Sequence, residues 1–345
     1  MQDALGLARA LSRDVLEAAS DGVEELPYPA PQMQALSASG LFAMAVPRDF
    51  GGMELPYRDQ ARIFAILAEG CLTTAFVFSQ HHVFCAMVTA AEDNALRKKL
   101  LPGLARAEIH GANGINFLHL PPERAPMRAR KVEGGWRYSG TLPWTTAAAH
   151  SDLLAAGAVN EDGLQMVCAV PMRNTAGVAI DPPMRLAALT ASETTSVHFD
   201  EVFVPDASVL LGPATEILKT HLGPTTFVAT AVTLGHARRS IRLASATKAP
   251  AIAARVDALR QDLHVFERDF EEALEAQDRA RVPPLRGRGN VLAMRAAYLA
   301  LIACGGTGFR EGGTSNRLYR EAAFFSVWSV GGDVIPRTLE NYFSA

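Results

Sequence analysis

His81 and His82 are adjacent residues whose type first suggests metal chemistry. Imidazole is a common metal ligand, but side chains at successive positions of a helix point about 100° apart, so this pair cannot chelate one ion. His82 could instead face a pocket, although a packed or partly exposed histidine is the commoner arrangement. The sequence therefore predicts no metal site.

The cysteines, Cys71, Cys85, Cys168 and Cys304, are scattered through apolar contexts without a C-x-x-C pair. This distribution predicts buried, reduced thiols, which agrees with a cytoplasmic protein. The first residues contain no basic segment followed by an apolar run, so we expect no signal peptide.

The sequence contains no G-x-S-x-G, no P-loop and no G-x-G-x-x-G after a strand. The stretch Gly305-Gly306-Thr307-Gly308 follows a helical pattern, so by itself it predicts a glycine turn at a helix C-terminus. A formal net charge of −3 gives no electrostatic support for binding nucleic acid or an anionic membrane. The longest apolar runs, such as 153–159, are far shorter than the about 20 residues of a transmembrane helix.

Hydrophobic periodicity divides the chain into three parts. Residues 1–110 show helical spacing, and the stretch 72–91 is apolar nearly all round, which predicts a buried central helix. Residues 111–213 contain short β-branched or alternating runs, typical of a small barrel or sandwich. Residues 214–345 return to helix, with long helical patterns at 227–246, 252–277, 288–303 and about 317–328.

The α–β–α order and segments in all three parts together resemble the acyl-CoA dehydrogenase family of flavoproteins. Residues 45–52 (AVPRDFGG) are similar to the family's P-x-x-x-G-G turn, and residues 140–146 (GTLPWTT) to its G-x-K-x-W-I-T strand. Residues 195–205 (TSVHFDEVFVP) are very like its F-D-x-V-x-V-P exit from the β domain. GGTGF at 305–309, followed by Arg320-Glu321-Ala322, is similar to its G-G-x-G-[YF] and R-D-A. Any one of these segments would be weak evidence, but the occurrence of all four in the same order is strong evidence for the fold.

The resemblance implies an α+β chain with an N-terminal helical domain (1–110), a middle β-barrel domain (111–213) and a C-terminal four-helix bundle (214–345). It also implies a homodimer or homotetramer that holds one FAD per subunit and acts on an acyl-CoA or another small molecule.

By the same resemblance, Trp144 would pack beside the isoalloxazine, because a broad aromatic side chain stacks well on a flat heterocycle. Thr146 would place its hydroxyl near flavin N5. Gly305 and Gly306 would let the backbone approach the adenine half of the neighbouring subunit's FAD, since glycine has no Cβ. The alternative for Trp144 and Thr146 is an ordinary core tryptophan and strand threonine.

The family's catalytic carboxylate is not found where it is expected. Its usual position, counted from Arg320-Glu321-Ala322, falls on Ser329, and its second known position falls near Thr225. A serine without an evident partner is no general base at neutral pH. Asp333 is the remaining candidate base, and the alternative for it is a solvated or capping role.

Three further differences from the family's sequence pattern affect segments that contact the flavin in that family. The loop 114–122 (GINFLHLPP) lacks the small residues that approach the flavin, and roughly a dozen residues are missing after Lys248, including the Arg of R-x-x-F-G. The Gln expected three residues before Gly305 is Ile302.

Three functions therefore stay open. The first is an FAD-dependent dehydrogenase that forms the α,β double bond of an acyl thioester with an unrecognised base. The second is a flavin-dependent monooxygenase of the same fold, which needs no α-proton abstraction. The third is a non-catalytic family member.

Overall fold

The computed structural model describes residues 3–221, 226–247, 249–328 and 332–343. Helices occupy both ends of the chain, and the strands lie between them. The helices are α1 (Ala4–Leu11), α2 (Ala30–Ala38), α3 (Tyr57–Gly70), α4 (Leu72–Ala90), α5 (Asn94–Ala105), α6 (Ile217–His221), α7 (Thr226–Ala244), α8 (Pro250–Glu275), α9 (Val282–Cys304), α10 (Thr314–Phe324) and α11 (Val334–Phe343).

Helix α4 is the buried central helix that the sequence predicts. Because its apolar residues surround the helix, it can contact partners on every side. Its first half, with Phe76 and Phe78, lies in a core shared by the N-terminal and C-terminal helices. Its second half, with Phe84 and Met87, lies in a second core beneath the sheet. The helix therefore joins the two cores.

The described residues between 111 and 214 form one eight-stranded sheet. Its order is β6-β7-β3-β2-β4-β5-β8, with β1 paired to β4 beside this path. The strands are β1 (Gly111–Gly114), β2 (Met127–Val132), β3 (Gly135–Thr145), β4 (Leu153–Asn160), β5 (Gln165–Pro171), β6 (Val178–Ile180), β7 (Thr195–Pro205) and β8 (Val209–Ala214).

Local chemistry explains the turn between β4 and β5, which the sequence predicts at residues 160–163. The Asn160 side-chain oxygen accepts hydrogen bonds from the backbone N–H groups of Asp162 (3.1 Å) and Leu164 (2.8 Å). Gly163 supplies the left-handed residue, with φ of +77°. The turn is therefore closed by one side chain and one glycine.

Helix α9 is the longest apolar element of the C-terminal part. By length and composition alone, the segment Arg279–Phe309 could cross a membrane, a test that the core helix of a soluble protein also passes. Helix α9 packs against α7, α8, α10 and α11. Tyr298 and Ile302 leave about half of their surface exposed, at 54% and 48%.

Helices α6 and α11 are additions to the four C-terminal helices that the sequence predicts. Helix α11 leaves much of its apolar surface exposed, as at Leu339 and Phe343. The other predicted helices are present with ends shifted by a few residues, as expected for frayed termini.

Helix α7 closely approaches α3 of the N-terminal part at Gly235. A Cβ at this position would lie 2.0 Å from the Ala65 carbonyl oxygen on α3, so the two helices would have to separate. We expect Gly235→Ala to lower the free energy of unfolding by about 1–3 kcal/mol, measured by urea denaturation. Gly22→Ala is the control, since a Cβ there meets nothing within 4 Å. Equal effects of the two substitutions would contradict the close packing.

Candidate functional site

Trp144 lies at an irregularity in β3. The pairing with β7 runs from Leu142–Val197 to Thr145–Thr195, so β3 carries one extra residue there. Pro143 has no N–H to give to a ladder, which favours a bulge at this point. Trp144 adopts a left-handed φ of +56° and its indole is 56% exposed. The bulge thus turns a large aromatic side chain out of the core.

Thr146 begins a chain of buried hydroxyl groups. Its Oγ1 lies 2.9 Å from Thr194 Oγ1, which lies 2.8 Å from Ser192 Oγ. We call these three residues the hydroxyl ladder. The exposed fractions are 2% for Thr146, 4% for Thr194 and 0% for Ser192. The backbone is joined as well, since the Ala147 N–H donates to the Ser192 carbonyl at 3.1 Å.

The two loops that carry the hydroxyl ladder contain several non-glycine residues with left-handed backbone. Besides Trp144, these are Ala147 (φ +55°), Leu189 (+59°) and Glu193 (+44°). Such conformations cost about 1–3 kcal/mol each and persist where the surroundings enforce them, often at functional sites. The facing loops therefore form a strained, rigid wall around Trp144 and Thr146.

A histidine–carboxylate pair holds this wall. His150 Nε2 lies 2.6 Å from Glu193 Oε2, and the imidazole stacks on Tyr28 with ring centroids 3.8 Å apart. Burial and the neighbouring Glu193 charge raise the pKa of Tyr28. None of these three residues is predicted from the sequence, because nothing in the spacing of 28, 150 and 193 indicates contact.

Arg320, part of the R-D-A-like segment, connects α10 to the same wall. Its guanidinium donates to both Glu24 carboxylate oxygens (2.9 and 2.5 Å) and to the Ala187 carbonyl (2.5 Å). The Thr190 hydroxyl in turn donates to the Glu24 carbonyl at 3.3 Å. The segment Arg320-Glu321-Ala322 therefore lies against the loop that faces Thr146.

Glu321 itself points into the helical core and forms a buried ionic cluster. Arg317 Nη1 donates to Glu321 Oε1 at 3.0 Å, and Arg317 Nη2 donates to Ser20 Oγ at 3.1 Å. His236 Nε2 lies 3.6 Å from Glu321 Oε2. Burial lowers the pKa of His236 to about 3, so it is neutral at pH 7. This carboxylate is ion-paired and enclosed, so it is not available as a general base.

Arg286 of α9 is a second buried guanidinium, 1% exposed. It donates to the Ala229 carbonyl on α7 and to the Trp328 carbonyl, the latter at 3.0 Å. Its Cζ lies 5.3 Å from the Phe325 ring centroid and 5.2 Å from that of Trp328. Within the described parts of the chain no carboxylate pairs with it. Burial lowers its pKa to about 9, so the group stays charged at pH 7.

The two positions at which the family carries its base, Ser329 and Thr225, lie outside the described residues. The remaining candidate, Asp333, is exposed and directly precedes α11, where its carbonyl accepts the Arg337 N–H at 3.1 Å. An exposed carboxylate at a helix start has the setting of a capping residue.

Gly305 and Gly306 follow the end of α9. Gly305 has φ of +60°, which explains a glycine by backbone conformation alone. A Cβ added to Gly305 or Gly306 meets nothing within 4 Å inside the chain. Phe309, three residues on, is 71% exposed. The proposed approach to a neighbour's adenine therefore stays a prediction.

Two other differences from the family's sequence pattern, the loop 114–122 and the short connection after α7, are visible in the structure. In the loop 114–122, Phe117 and Leu118 are buried in the core beneath the sheet, so this loop fills its own space with apolar side chains. Helix α7 ends at Ala244 and α8 begins at Pro250, which confirms the short connection.

His81 and His82 are both buried in α4. The Gly111 N–H donates to His81 Nδ1 at 3.3 Å, and His81 Nε2 lies 3.2 Å from Cys85 Sγ. Burial lowers the pKa of His81 to about 3 and that of His82 to about 4. Cys85 is fully buried, which raises its thiol pKa, so the contact is no reactive thiolate pair. No group of metal-ligating side chains is present among the residues that the structure describes.

Known proteins resemble this chain in sequence. A family profile described as acyl-CoA dehydrogenase, N-terminal domain, matches residues 5–108. A probable FMNH2-dependent monooxygenase, SfnC of Pseudomonas putida, is 25% identical over 216 residues, which are 61% of this chain and 52% of that protein. The chain spans about half the length of the first curated relatives it matches.

Two solved structures cover nearly the whole chain. Dibenzothiophene monooxygenase TdsC from Paenibacillus sp. A11-2 aligns with a TM-score of 0.83 and 16% identity, over 99% of this chain and 97% of that one. A glutaryl-coenzyme A dehydrogenase in complex with glutaryl-CoA aligns with a TM-score of 0.86 and 18% identity, over 99% and 95%.

The chain therefore has the acyl-CoA dehydrogenase fold, with an N-terminal helical domain, a central sheet and a helical C-terminal region. This confirms the resemblance that the four segments predict. Proteins with this fold include both dehydrogenases and flavin monooxygenases.

Proposed function

We propose that this protein is a flavin-dependent oxidoreductase of the monooxygenase type, not a dehydrogenase of acyl thioesters. The observation that carries the proposal is Arg286. Its guanidinium donates to the carbonyl of Trp328, one residue before the usual base position, and to that of Ala229, four residues after the second one. A buried guanidinium lies beside these chain positions, and with Ser329 and Thr225 at the positions themselves the sequence offers no carboxylate there for α-proton removal.

The residues present fit the isoalloxazine half of a flavin. Trp144 offers an indole more than half exposed on a rigid turn, and Thr146 lies two residues away with its hydroxyl in the ladder. The adenine half lacks its usual partners, because the Arg-bearing segment is missing and Ile302 replaces a glutamine. We therefore propose a flavin with FMN as the better fit, whereas the sequence alone pointed to FAD.

A bound reduced flavin supplies the electrons for activating O₂. The chain's own part would be to hold the ring against Trp144 and to orient the Thr146 hydroxyl through the ladder.

Relatives of both kinds are found, so they support each of the two candidate functions. Proteins named as an FMNH2-dependent monooxygenase and as a dibenzothiophene monooxygenase are among those with similar sequence or fold. Dehydrogenases of acyl-CoA are among them too, so an acyl-CoA dehydrogenase is the second candidate. Both candidate functions imply a small-molecule substrate. Neither of them identifies the substrate of this protein.

Reconstitution with flavin separates the candidates. We expect the protein to bind FMN, to stay oxidised when mixed anaerobically with acyl-CoA, and to consume O₂ when a separate reductase supplies reduced flavin. Bleaching by acyl-CoA alone would establish the dehydrogenase. A colourless protein that takes up neither FMN nor FAD would leave the non-catalytic alternative.

Asp333 gives a direct test of the dehydrogenase alternative. Because its side chain is exposed at the start of α11, we expect Asp333→Asn to leave flavin-dependent turnover within about twofold of wild type. Steady-state kinetics with each candidate substrate measure this. Loss of acyl-CoA oxidation in Asp333→Asn, with flavin still bound, would make Asp333 the base after all.

We also propose a homodimer or homotetramer in the cytoplasm. Exposed apolar side chains at the end of α9 and on α11, such as Ile302, Phe309 and Phe343, support the assembly. The free thiols of all four cysteines support the compartment.

A further inference from the structure

Two buried guanidinium groups lie among the helices, and they differ in their partners. Arg317 is 2% exposed and pairs with Glu321 at 3.0 Å. Arg286 is 1% exposed, and within the described residues its guanidinium contacts backbone carbonyls and aromatic rings but no carboxylate. The residues outside the described ranges include no Asp and no Glu. The side chains of this chain therefore give the Arg286 charge no adjacent counter-charge.

The hydrogen bonds of Arg286 also leave donors unused. A guanidinium has five N–H donors, and here Nη1 donates to the Ala229 carbonyl and Nη2 to the Trp328 carbonyl. Nε is buried and has no acceptor. The edge of a guanidinium can bind both oxygens of one carboxylate through two parallel N–H donors. The unused Nε–H therefore belongs to an edge that suits a carboxylate.

The groups around Arg286 supply apolar walls and no negative charge. Its Cζ lies 5.3 Å from the Phe325 ring centroid and 5.2 Å from that of Trp328. Ala229 lies in the first turn of α7, where the helix dipole is positive. Burial lowers the pKa of Arg286, and no carboxylate opposes this shift. An isolated buried charge is strongly unfavourable, and binding of an anion would remove that penalty.

We propose that Arg286 is a binding residue for the carboxylate of an organic acid, which reaches it past the partly exposed indole of Trp328. The carboxylate accepts from Nε and supplies the missing counter-charge, while the apolar body of the acid packs on the indole. One guanidinium neutralises one negative charge, so a phosphate dianion would leave a second charge buried in the same place. The inference goes beyond the proposed function, because it requires no bound flavin.

The first test uses the wild-type protein and compares benzoate with benzamide, which has the same ring but no charge. Because a hydrogen bond to a charged partner is stronger than one to a neutral partner, we expect benzoate to bind about tenfold more tightly. Isothermal titration calorimetry measures both dissociation constants. Equal affinity for the two compounds, or displacement of benzoate by chloride at the same concentration, would overturn the carboxylate site.

The second test changes the guanidinium. Arg286→Lys keeps the charge but loses the planar fork, so the affinity for benzoate should fall about tenfold, and Arg286→Met should bind benzoate no better than benzamide. Arg288→Met is the matched control, because Arg288 is also on α9 and lies 6.0 Å from the Phe266 ring but pairs with Asp269 at 2.6 Å. This control should keep the wild-type affinity.

Wild-type affinity for benzoate in folded Arg286→Lys and Arg286→Met, checked by circular dichroism, would contradict the assignment. An equal loss in Arg288→Met would contradict it as well. Titration of the same samples with FMN separates this inference from the proposed function. FMN binding without a preference for benzoate over benzamide would overturn the carboxylate site alone, whereas benzoate binding without any flavin binding would overturn the proposed function alone.

Discussion

Arg317→Met is expected to lower the free energy of unfolding by about 3–5 kcal/mol. Arg317 and Glu321 are 2% and 0% exposed and form an ion pair of 3.0 Å inside the helical core. Removing the guanidinium leaves a buried carboxylate without its ion-pair partner, beside the neutral His236. Such an uncompensated charge is far more destabilising than the absence of the whole pair. Urea denaturation of the variant beside wild type measures the loss.

The pH dependence of this deficit follows from Glu321. Burial raises the pKa of its carboxyl, and the Arg317 charge opposes that shift. Without Arg317 the folded pKa lies well above the unfolded value, so the folded variant binds the proton more tightly. The contribution of this carboxyl to the variant's stability is then largest below about pH 4.5 and is lost as the pH rises through the folded pKa. The deficit relative to wild type should therefore be smallest in acid and grow towards neutral pH.

Two further variants make the measurement specific. Arg317→Met combined with Glu321→Leu should recover most of the lost stability, because an apolar pair can replace a buried ion pair. Arg260→Met removes an exposed ion pair with Asp257 and should change stability by no more than about 0.5 kcal/mol. A deficit in Arg317→Met as small as that of Arg260→Met would contradict the buried cluster.

Trp144→Ala is expected to weaken flavin binding about 10- to 100-fold, or about 1.4–2.8 kcal/mol. The indole is 56% exposed at a strained bulge, so its truncation removes a stacking surface without opening a cavity in the core. Fluorescence titration with FMN and with FAD measures the dissociation constants.

Phe203→Ala serves as the control for Trp144. Phe203 lies on β7, is 45% exposed and packs under the Arg137 guanidinium on the neighbouring strand. Its loss should leave flavin affinity unchanged. If Trp144→Ala retained wild-type affinity for both flavins, the ring would have to bind elsewhere on this fold.

Much of the fold follows from local sequence patterns. The apolar character of 72–91 predicts a buried central helix because a helix with no polar face has to be enclosed, and α4 joins both cores. The Asn160–Gly163 turn follows from one side chain and one glycine. Helix α11 was not predicted, although its apolar residues recur at helical spacing; among them Val334 is buried and Leu339 and Phe343 are exposed.

Some features of the candidate site also follow from the sequence, and others only from the tertiary structure. The sequence by itself determined the family of the fold, the position of Trp144 and Thr146, and the absence of a carboxylate at the usual base positions, since these depend on residue type and spacing along one segment. Only the tertiary structure decided that Thr194 holds Thr146, that Glu193 holds His150, and that Arg286 holds Trp328. These partners are 48, 43 and 42 residues apart. Such contacts depend on how β3 pairs with β7 and how α9 packs on its neighbours, and no local pattern specifies either.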